Sequence, residues 1–169
     1  MPKSRAPTEP VSDAMMLHLD NQVCFALHST ARVVIRQYQA LLAEVGITYP
    51  QYLVLLVLWE WEQVDWPSPN YLELGKRLDF DSGTLTPLLN RMEGAGLIKR
   101  VIPTHDKRER HIMLTPAGRA LKRRLRRAPL TLIEKSPVSV AELLKLRNSL
   151  LRLRDSLVDP ADEPTPDDE

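Results

Sequence analysis

Two short helical segments, followed by a basic two-stranded segment, most constrain how this chain can fold. The run PSPNYLELGKRL predicts a short helix with Asn70 as its N-cap and Glu73 three residues later. The run DFDSGTLTPLLNRMEGAG predicts a second short helix that begins at about Ser82 and is closed by Gly94 and Gly96. The next run, LIKRVIPTHDKRERHIMLT, holds two β-prone stretches around a charged loop and predicts a hairpin.

Longer helices precede this segment. Apolar residues recur at helical spacing from Met16 to about Val45, and Gly46 is suited to end that helix. Thr48 and Gln51 stand in capping-box positions at the start of the next helix. Because the core of that helix, YLVLLVLWEW, is apolar nearly all round, we expect it to be central and buried.

Two more helices are predicted after the hairpin. Thr115 is suited to cap the first, with Pro116 at its first position. Ser139 and Glu142 form another capping box, which opens a last helix that runs to about Val158. The predicted fold class is therefore mainly α with a small β-hairpin. This order of elements is typical of a winged helix-turn-helix, in which the second short helix enters the major groove of DNA.

Charge is distributed unevenly along the chain. The formal net charge is +1, but residues 159–169 carry six acidic residues and no basic ones, so residues 1–158 hold 23 basic against 16 acidic side chains. Within 97–127, eleven Lys and Arg residues face only Asp106 and Glu109. A phosphate-binding surface and a solvated helix face explain this clustering equally well from charge alone.

Composition excludes several classes of protein. The single cysteine, Cys24, rules out an internal disulfide framework and suits a reducing cytoplasm, where we expect the protein to reside. Neither a signal peptide nor a membrane span is predicted. The four histidines have no metal-ligand spacing, so we expect no metal and no cofactor. Residues 1–13 and 159–169 hold six of the fourteen prolines and are predicted to be disordered.

The start of the second short helix is rich in small polar side chains. Such groups can contact phosphates or base edges, and the hairpin tip HDKRER can reach the DNA backbone or the adjacent minor groove. No set of nucleophile, base and acid is evident, so we predict no catalytic residues and no enzyme. The candidate DNA-contacting residues on the helix are Ser82, Thr84, Thr86, Asn90 and Arg91.

The sequence resembles a known family. The run LDFDSGTLTPLLNRMEGAGLIKR, with DKRERHIMLTPAG after it, is similar to the winged-helix core of MarR-type bacterial regulators. The segments NQVCFALHS and ITYPQYLVLLVLWE resemble the branch of the organic-hydroperoxide-resistance regulators (OhrR). The similarity extends from about Leu17 to Leu157. It implies a homodimeric repressor that binds an inverted repeat in double-stranded DNA and is released by organic hydroperoxide.

The resemblance also implies a division of the chain. Residues 14–158 would form one MarR-type winged-helix domain, with the DNA-binding lobe at about 66–116. The helices within 14–50 and 117–158 would form the dimerisation domain.

The family further implies roles for particular residues. A reactive cysteine near the start of the first helix is hydrogen-bonded to two tyrosines of the partner subunit, and the matching residues here are Cys24, Tyr38 and Tyr49. Family wings place an Asp beside an Arg that enters the minor groove, and the matching pair is Asp106 and Arg108.

Helix geometry bears on the first of these implications. Cys24 and Tyr38 are fourteen residues apart, so they share a helix face to within about 40°. They are nevertheless separated by roughly 21 Å along the helix axis. Contact therefore needs either a break in the helix or a second, antiparallel copy, which a two-fold dimer supplies.

The chain departs from some family members in one respect. Those members carry a second cysteine in the fifth helix that forms a disulfide with the oxidised one, and RLRRAPLTL has none. Either this chain is of the one-cysteine type, which needs a low-molecular-weight thiol, or a natural second cysteine has been replaced.

Three functions stay open from the sequence. The first is a repressor that senses organic hydroperoxides through Cys24. The second is a MarR-type repressor released by a phenolic or lipophilic ligand, in which Cys24 is only a small buried hydrophobic residue. The third is a one-cysteine peroxidase, which would need neither the basic hairpin nor the polar second helix.

Overall fold

A computed structural model describes residues 16–64, 68–102, 110–134 and 136–158. The tails predicted to be disordered, 1–13 and 159–169, lie outside these ranges, and so do Asp106 and Arg108 of the hairpin tip.

The described residues form seven α-helices, one 3₁₀ turn and one antiparallel hairpin. The hairpin pairs β1 (Ile98–Val101) with β2 (His111–Leu114), with Ile98 opposite Leu114. The helices are α1 (Val23–Ala43), α2 (Tyr49–Gln63), α3 (Tyr71–Leu78), α4 (Ser82–Gly94), α5 (Pro116–Leu125), α6 (Ala128–Glu134) and α7 (Val140–Leu157). The predicted class, mainly α with a small hairpin, is confirmed.

The four predicted N-caps are present in the structure. The carboxamide oxygen of Gln51 accepts a hydrogen bond from the backbone N–H of Thr48 at 2.8 Å. The other three caps accept from the backbone N–H three residues later: Asn70 from Glu73, Thr115 from Gly118, and Ser139 from Glu142. Each cap fixes where its helix begins, because it satisfies a backbone donor that has no partner within the helix.

The first helix begins later than the sequence predicted. Instead of a helix from Met16, a 3₁₀ turn spans Leu19–Asn21, and Gln22 has extended backbone before α1. Apolar Leu19 continues the helical spacing, but the short polar side chains of Asp20 and Asn21 compete with the helix for backbone hydrogen bonds.

The segment after the hairpin also differs from the prediction. One helix was expected before Ser139, but α5 ends at Leu125 and α6 begins at Ala128. Pro129 explains the break, because it has no N–H to donate to the carbonyl four residues earlier and its ring collides with that carbonyl. The chain divides into two compact units, with the boundary after Arg126.

Helix α2 forms the centre of the first unit, as its apolar sequence predicted. Seven of its fifteen residues are buried. It contacts α1, α3, α4 and α5. The indole N–H of Trp59 donates to the carbonyl oxygen of Gly118 at 3.1 Å, which ties α2 to the first turn of α5. None of the helices in the described residues is long and apolar enough to cross a membrane.

Candidate functional site

Cys24 lies at the second residue of α1, as expected for a position early in the first helix. The thiol is free and exposed in the single chain. Three apolar neighbours, Val23, Phe25 and Leu27, are exposed as well. The thiol therefore lies in the first turn of α1, next to apolar side chains that the described residues leave exposed.

Tyr38 and Tyr49 are in contact within one chain. Tyr38 projects from α1 and Tyr49 is the first residue of α2, and their ring centroids are 5.4 Å apart. Tyr52, one turn further along α2, joins them, with its ring 5.7 Å from that of Tyr38 and 6.3 Å from that of Tyr49. We call these three residues the tyrosine cluster.

Burial raises the pKa values of the tyrosine cluster further above physiological pH. Tyr52 is only 2% exposed, and burial, together with the nearby Tyr38 and Tyr49, raises its pKa to about 12. Burial also raises the pKa of Tyr49, and burial together with the charge of Tyr49 raises the pKa of Tyr38. Both half-buried phenols therefore stay neutral O–H donors at physiological pH.

Cys24 does not meet the tyrosine cluster within one chain. Helix α1 is uninterrupted from Val23 to Ala43, so it contains both Cys24 and Tyr38. At 1.5 Å per residue, the fourteen residues between them correspond to roughly 21 Å. The structure thus brings together two of the three residues that the family resemblance associates with redox sensing.

All five candidate DNA-contacting residues of α4 are exposed, but they are not equivalent. Leu85, Leu88, Leu89 and Met92 define the buried face. At about 100° per residue, Asn90 lies about 150° from the centre of that face. The other four lie nearer its edges, Thr86 and Arg91 at about 110° and Ser82 and Thr84 at about 70–90°.

The N-terminus of α4 is capped by an acidic side chain. Asp81 accepts from the backbone N–H of Thr84 at 2.6 Å, and its second oxygen lies 3.3 Å from the Thr84 hydroxyl. Because a carboxylate can only accept, the Thr84 hydroxyl donates to it and presents its lone pairs outward. Pro87 lies within the helix, so the carbonyl of Gly83 receives no helical hydrogen bond from it.

Helix α4 and the hairpin are joined by Arg100. Its guanidinium Nη1 lies 3.0 Å from Glu93 Oε2, and its backbone N–H donates to Glu93 Oε1 at 3.0 Å. Its Nη2 donates to the side-chain oxygen of Asn90 at 2.7 Å. A predicted DNA-contacting residue is thus held by a residue of β1.

Several basic side chains of the 97–127 segment have partners inside the chain. These contacts hold α5 against α2 and the end of α1, so part of the positive charge is structural. They are Arg119 with Glu62 at 2.6 Å, Lys122 with the Trp59 carbonyl at 3.4 Å, and Arg124 with the Glu44 carbonyl at 3.3 Å.

Sequence reasoning missed Tyr52, Glu93 and Arg100. The spacing of Tyr49 and Tyr52, three residues apart on a helix, was a usable signal, because such residues lie on one face. Nothing local in the sequence indicates the contacts of Arg100, which join a strand to the preceding helix. Among the described residues, no cluster of His, Cys, Asp and Glu could hold a metal ion.

The chain is similar to known transcriptional regulators. A family model described as "Transcriptional regulator SarA/Rot" matches residues 36–125. The chain is 43% identical over 139 residues to the HTH-type transcriptional regulator TtmR of Methylorubrum extorquens, covering 82% of this chain and 69% of TtmR. It is 41% identical over 141 residues to the organic hydroperoxide resistance transcriptional regulator of Bacillus subtilis. This match covers 83% of this chain and 92% of the Bacillus regulator.

Solved structures of AbfR, a protein of Staphylococcus epidermidis, have the same fold. Reduced AbfR bound to DNA has a TM-score of 0.69 and 32% identity, covering 84% of this chain and 94% of that one. Overoxidised AbfR bound to DNA has a TM-score of 0.68 and 31% identity, and the match covers 87% of this chain and 100% of the AbfR chain.

Proposed function

The chain belongs to the SarA/Rot family of MarR-like winged-helix transcriptional regulators, within which it resembles the OhrR branch, and we propose that it is a redox-sensing repressor. It binds operator DNA as a homodimer and is released when an organic hydroperoxide oxidises Cys24. One observation supports this function above the others. The only thiol lies at the start of an uninterrupted helix, beside apolar side chains that the described residues leave exposed. Tyr38 lies roughly 21 Å further along that helix, in contact with Tyr49.

The proposed homodimer is supported by apolar surfaces that the described residues leave uncovered. Leu42 is the only buried residue of α1, and the described residues of α7 include no buried ones. Apolar areas of this extent in a soluble protein are typical of interaction sites. Those of α7 include Val140, Leu144, Leu146, Leu150, Leu151, Leu153 and Leu157. An antiparallel second copy of α1 also brings Cys24 of one subunit to the tyrosine cluster of the other.

DNA binding uses the face of α4 opposite its buried residues. We propose that Ser82, Thr84, Thr86, Asn90 and Arg91 contact the major groove, with Asn90 at the centre. Asp106 and Arg108 of the hairpin tip would contact the adjacent minor groove. The DNA-bound structures of AbfR, which is 32% identical, support this mode of binding.

The two subunits should bind an inverted repeat with half-sites about one helical turn apart. Affinity should fall steeply as salt concentration rises, because basic residues displace counterions from phosphates. Fluorescence anisotropy with a labelled duplex at several salt concentrations, combined with analytical ultracentrifugation, measures both properties. A monomer that binds a single half-site tightly would contradict the proposal.

The sensing reaction is a two-electron oxidation of sulfur. The Cys24 thiolate attacks one oxygen of the hydroperoxide, an S–O bond forms, the O–O bond breaks, and the alkoxide leaves and takes a proton to become an alcohol. The positive end of the α1 dipole stabilises the negative thiolate. The neutral phenols of Tyr38 and Tyr49 in the partner subunit donate hydrogen bonds to it.

Release of DNA then requires a larger change at the same sulfur. A low-molecular-weight thiol attacks the sulfenic acid, the S–O bond breaks, and a mixed disulfide and water are formed. Overoxidised AbfR is bound to DNA in its solved structure, which favours a bulky mixed disulfide over a small oxidised group as the releasing form. Such an adduct between α1 and the partner's tyrosine cluster displaces the helices that set the spacing of the two α4 helices.

The decisive experiment compares wild-type protein with Cys24→Ser. Intact mass after one equivalent of cumene hydroperoxide should show one added oxygen, or one thiol adduct when cysteine is present, in the wild type only. The variant should bind the operator with unchanged affinity and should not be released. If Cys24→Ser is still released by the hydroperoxide, the cysteine is not the sensor.

Tyrosine variants test the partner contacts. Tyr38→Phe and Tyr49→Phe should slow the oxidation of Cys24, because each removes an O–H donor from the thiolate. Tyr52→Phe is the matched control, since it removes a hydroxyl from the same cluster but from a residue that is buried within its own chain. Equal rates in all three variants would contradict the proposed contacts. Release of DNA by a phenolic compound, with no change in mass at Cys24, would instead support the ligand-regulated alternative.

A further inference from the structure

We propose that Arg100 determines which base Asn90 recognises, by fixing the orientation of the Asn90 carboxamide so that its NH₂ group faces the DNA. This inference rests on the proposed function, because it assigns a specificity role within the DNA-contacting face of α4. Arg100 is a positioning residue, and Asn90 is the residue that touches the base.

The guanidinium of Arg100 is held in place within the free protein. Both carboxylate oxygens of Glu93 are engaged by Arg100, one by its Nη1 and one by its backbone N–H, each at 3.0 Å. The two side chains are 24% and 38% exposed, so water competes with the pair less than it does at a fully exposed site. An arginine held through both its side chain and its own backbone loses little further freedom when it makes a third contact.

The third contact fixes the direction of the Asn90 amide. Arg100 Nη2 lies 2.7 Å from Asn90 Oδ1, the length of a charge-assisted hydrogen bond. A guanidinium has donors only, so the Asn90 atom that faces it must be the oxygen. The reverse orientation would place the two N–H donors of the amide against a cation. The carboxamide therefore presents Nδ2 as the end left for another partner.

The position of Asn90 makes this orientation relevant to base recognition. Asn90 lies about 150° from the centre of the buried face of α4, further than the other four candidate residues. Its immediate neighbours on that side are Gly83, Pro87 and Gly94, which leave room for close approach to a groove. A donor at this place fits the acceptors on the major-groove edge of guanine, N7 and O6, or O4 of thymine. Adenine, which Asn binds with both amide ends, is disfavoured because the oxygen is drawn to Arg100.

The experiment determines base preference at every operator position, by sequencing duplexes selected from a library with a randomised half-site. In the wild type, one position per half-site should favour guanine or thymine over adenine by about fivefold or more. Asn90→Ala should abolish the preference at that position alone. Arg100→Met should weaken the same preference and admit adenine, because the released amide can turn over.

Two controls isolate the orientation effect. Lys99→Met removes the same charge from the adjacent position of β1, whose side chain is exposed and alternates to the other side of the strand. It should lower affinity for all sequences equally and leave the preference unchanged. Asn90→Asp keeps a partner for Arg100 but has no N–H to donate, so it should lose the preference for guanine or thymine. Because residue 90 is exposed, this variant keeps the test valid even if Arg100→Met folds poorly.

The outcomes separate this inference from the proposed function. If the wild type shows no salt-dependent binding to any duplex in the library, the proposed function is wrong. If it binds and is released by hydroperoxide, but Arg100→Met keeps the wild-type preference, only the role of Arg100 is overturned. If Asn90→Asp also keeps that preference, the Asn90 amide does not read the base and the whole inference is wrong. Replacing the preferred guanine by 7-deazaguanine should weaken the wild type and not Asn90→Ala. If a methylphosphonate at the neighbouring phosphate has that effect instead, Asn90 contacts the backbone and the inference is wrong.

Discussion

Replacing Gly118 by Ala should destabilise the protein strongly, although alanine is the better helix former. Gly118 lies in the first turn of α5 and is buried. A Cβ built on it falls onto the backbone carbonyl oxygen of Leu97, at the start of the hairpin, and lies 3.0 Å from Leu114 Cδ2. The obstacle is backbone and cannot be relieved by a change of rotamer.

The size of the effect follows from the contacts that must move. The Leu97 carbonyl accepts from the backbone N–H of Thr115 at 3.1 Å, and the Thr115 hydroxyl donates to the neighbouring Gly96 carbonyl at 2.6 Å. The Gly118 carbonyl accepts from the Trp59 indole at 3.1 Å. Overpacking costs about 1–3 kcal/mol, and each weakened hydrogen bond about 1 kcal/mol. Alanine is more favourable than glycine in a helix by about 1 kcal/mol. The free energy of unfolding should therefore fall by about 3 kcal/mol in total.

The assay is thermal and urea unfolding at equal protomer concentration, followed by circular dichroism. A loss of about 3 kcal/mol should lower Tm by roughly 6–12 °C in a chain of this size. Gly94→Ala is the matched control, because nothing lies within 4 Å of the added Cβ at the end of α4, and it should be neutral or slightly stabilising. A Gly118→Ala variant as stable as Gly94→Ala would refute the steric argument.

Two further predictions concern charge and pH. Arg108→Ala should weaken operator binding in an anisotropy titration more than Arg124→Ala, because Arg124 donates to the Glu44 carbonyl at 3.3 Å; equal losses would argue against insertion of the wing. The pKa of Tyr52 is raised from 10.0 to about 12, so the folded state holds this proton more tightly than the unfolded state. The stabilisation is complete below pH 10 and is lost as pH rises through 12. Urea unfolding should therefore show stability falling between pH 10 and 12, and falling less in Tyr52→Phe.

The elements that the sequence predicted well are those specified by neighbouring residues. Capping boxes act over three residues, so the amino acids alone locate the starts of α2, α3 and α7. The burial of α2 followed from an apolar run with no polar face. The basic hairpin followed from two β-prone stretches close in sequence. In each case the structure is determined by interactions between residues that are close together in the sequence.

The errors at helix ends come from local signals that were outweighed or overlooked, whereas the missed contacts depend on tertiary packing. The start of α1 was predicted too early, because apolar spacing ignores the preference of Asp20 and Asn21 for non-helical hydrogen bonds. The break before α6 was missed, although Pro129 was a visible signal. The contact of Arg100 with Asn90 and the contact of Trp59 with Gly118 depend on how elements pack, and no local pattern specifies them.

The central helix links the two parts of the candidate site through direct contacts. Its first turn carries Tyr49 and Tyr52 of the tyrosine cluster, and the ring of Tyr52 meets Trp59 edge-on at 6.4 Å. The Trp59 indole donates a hydrogen bond to the Gly118 carbonyl, and the Gly118 backbone packs against the Leu97 carbonyl just before β1. Packed interiors have low compressibility and transmit strain. Helix α2 is therefore the element through which a displacement at the tyrosine cluster would reach the hairpin, and through it the helix that is proposed to contact DNA.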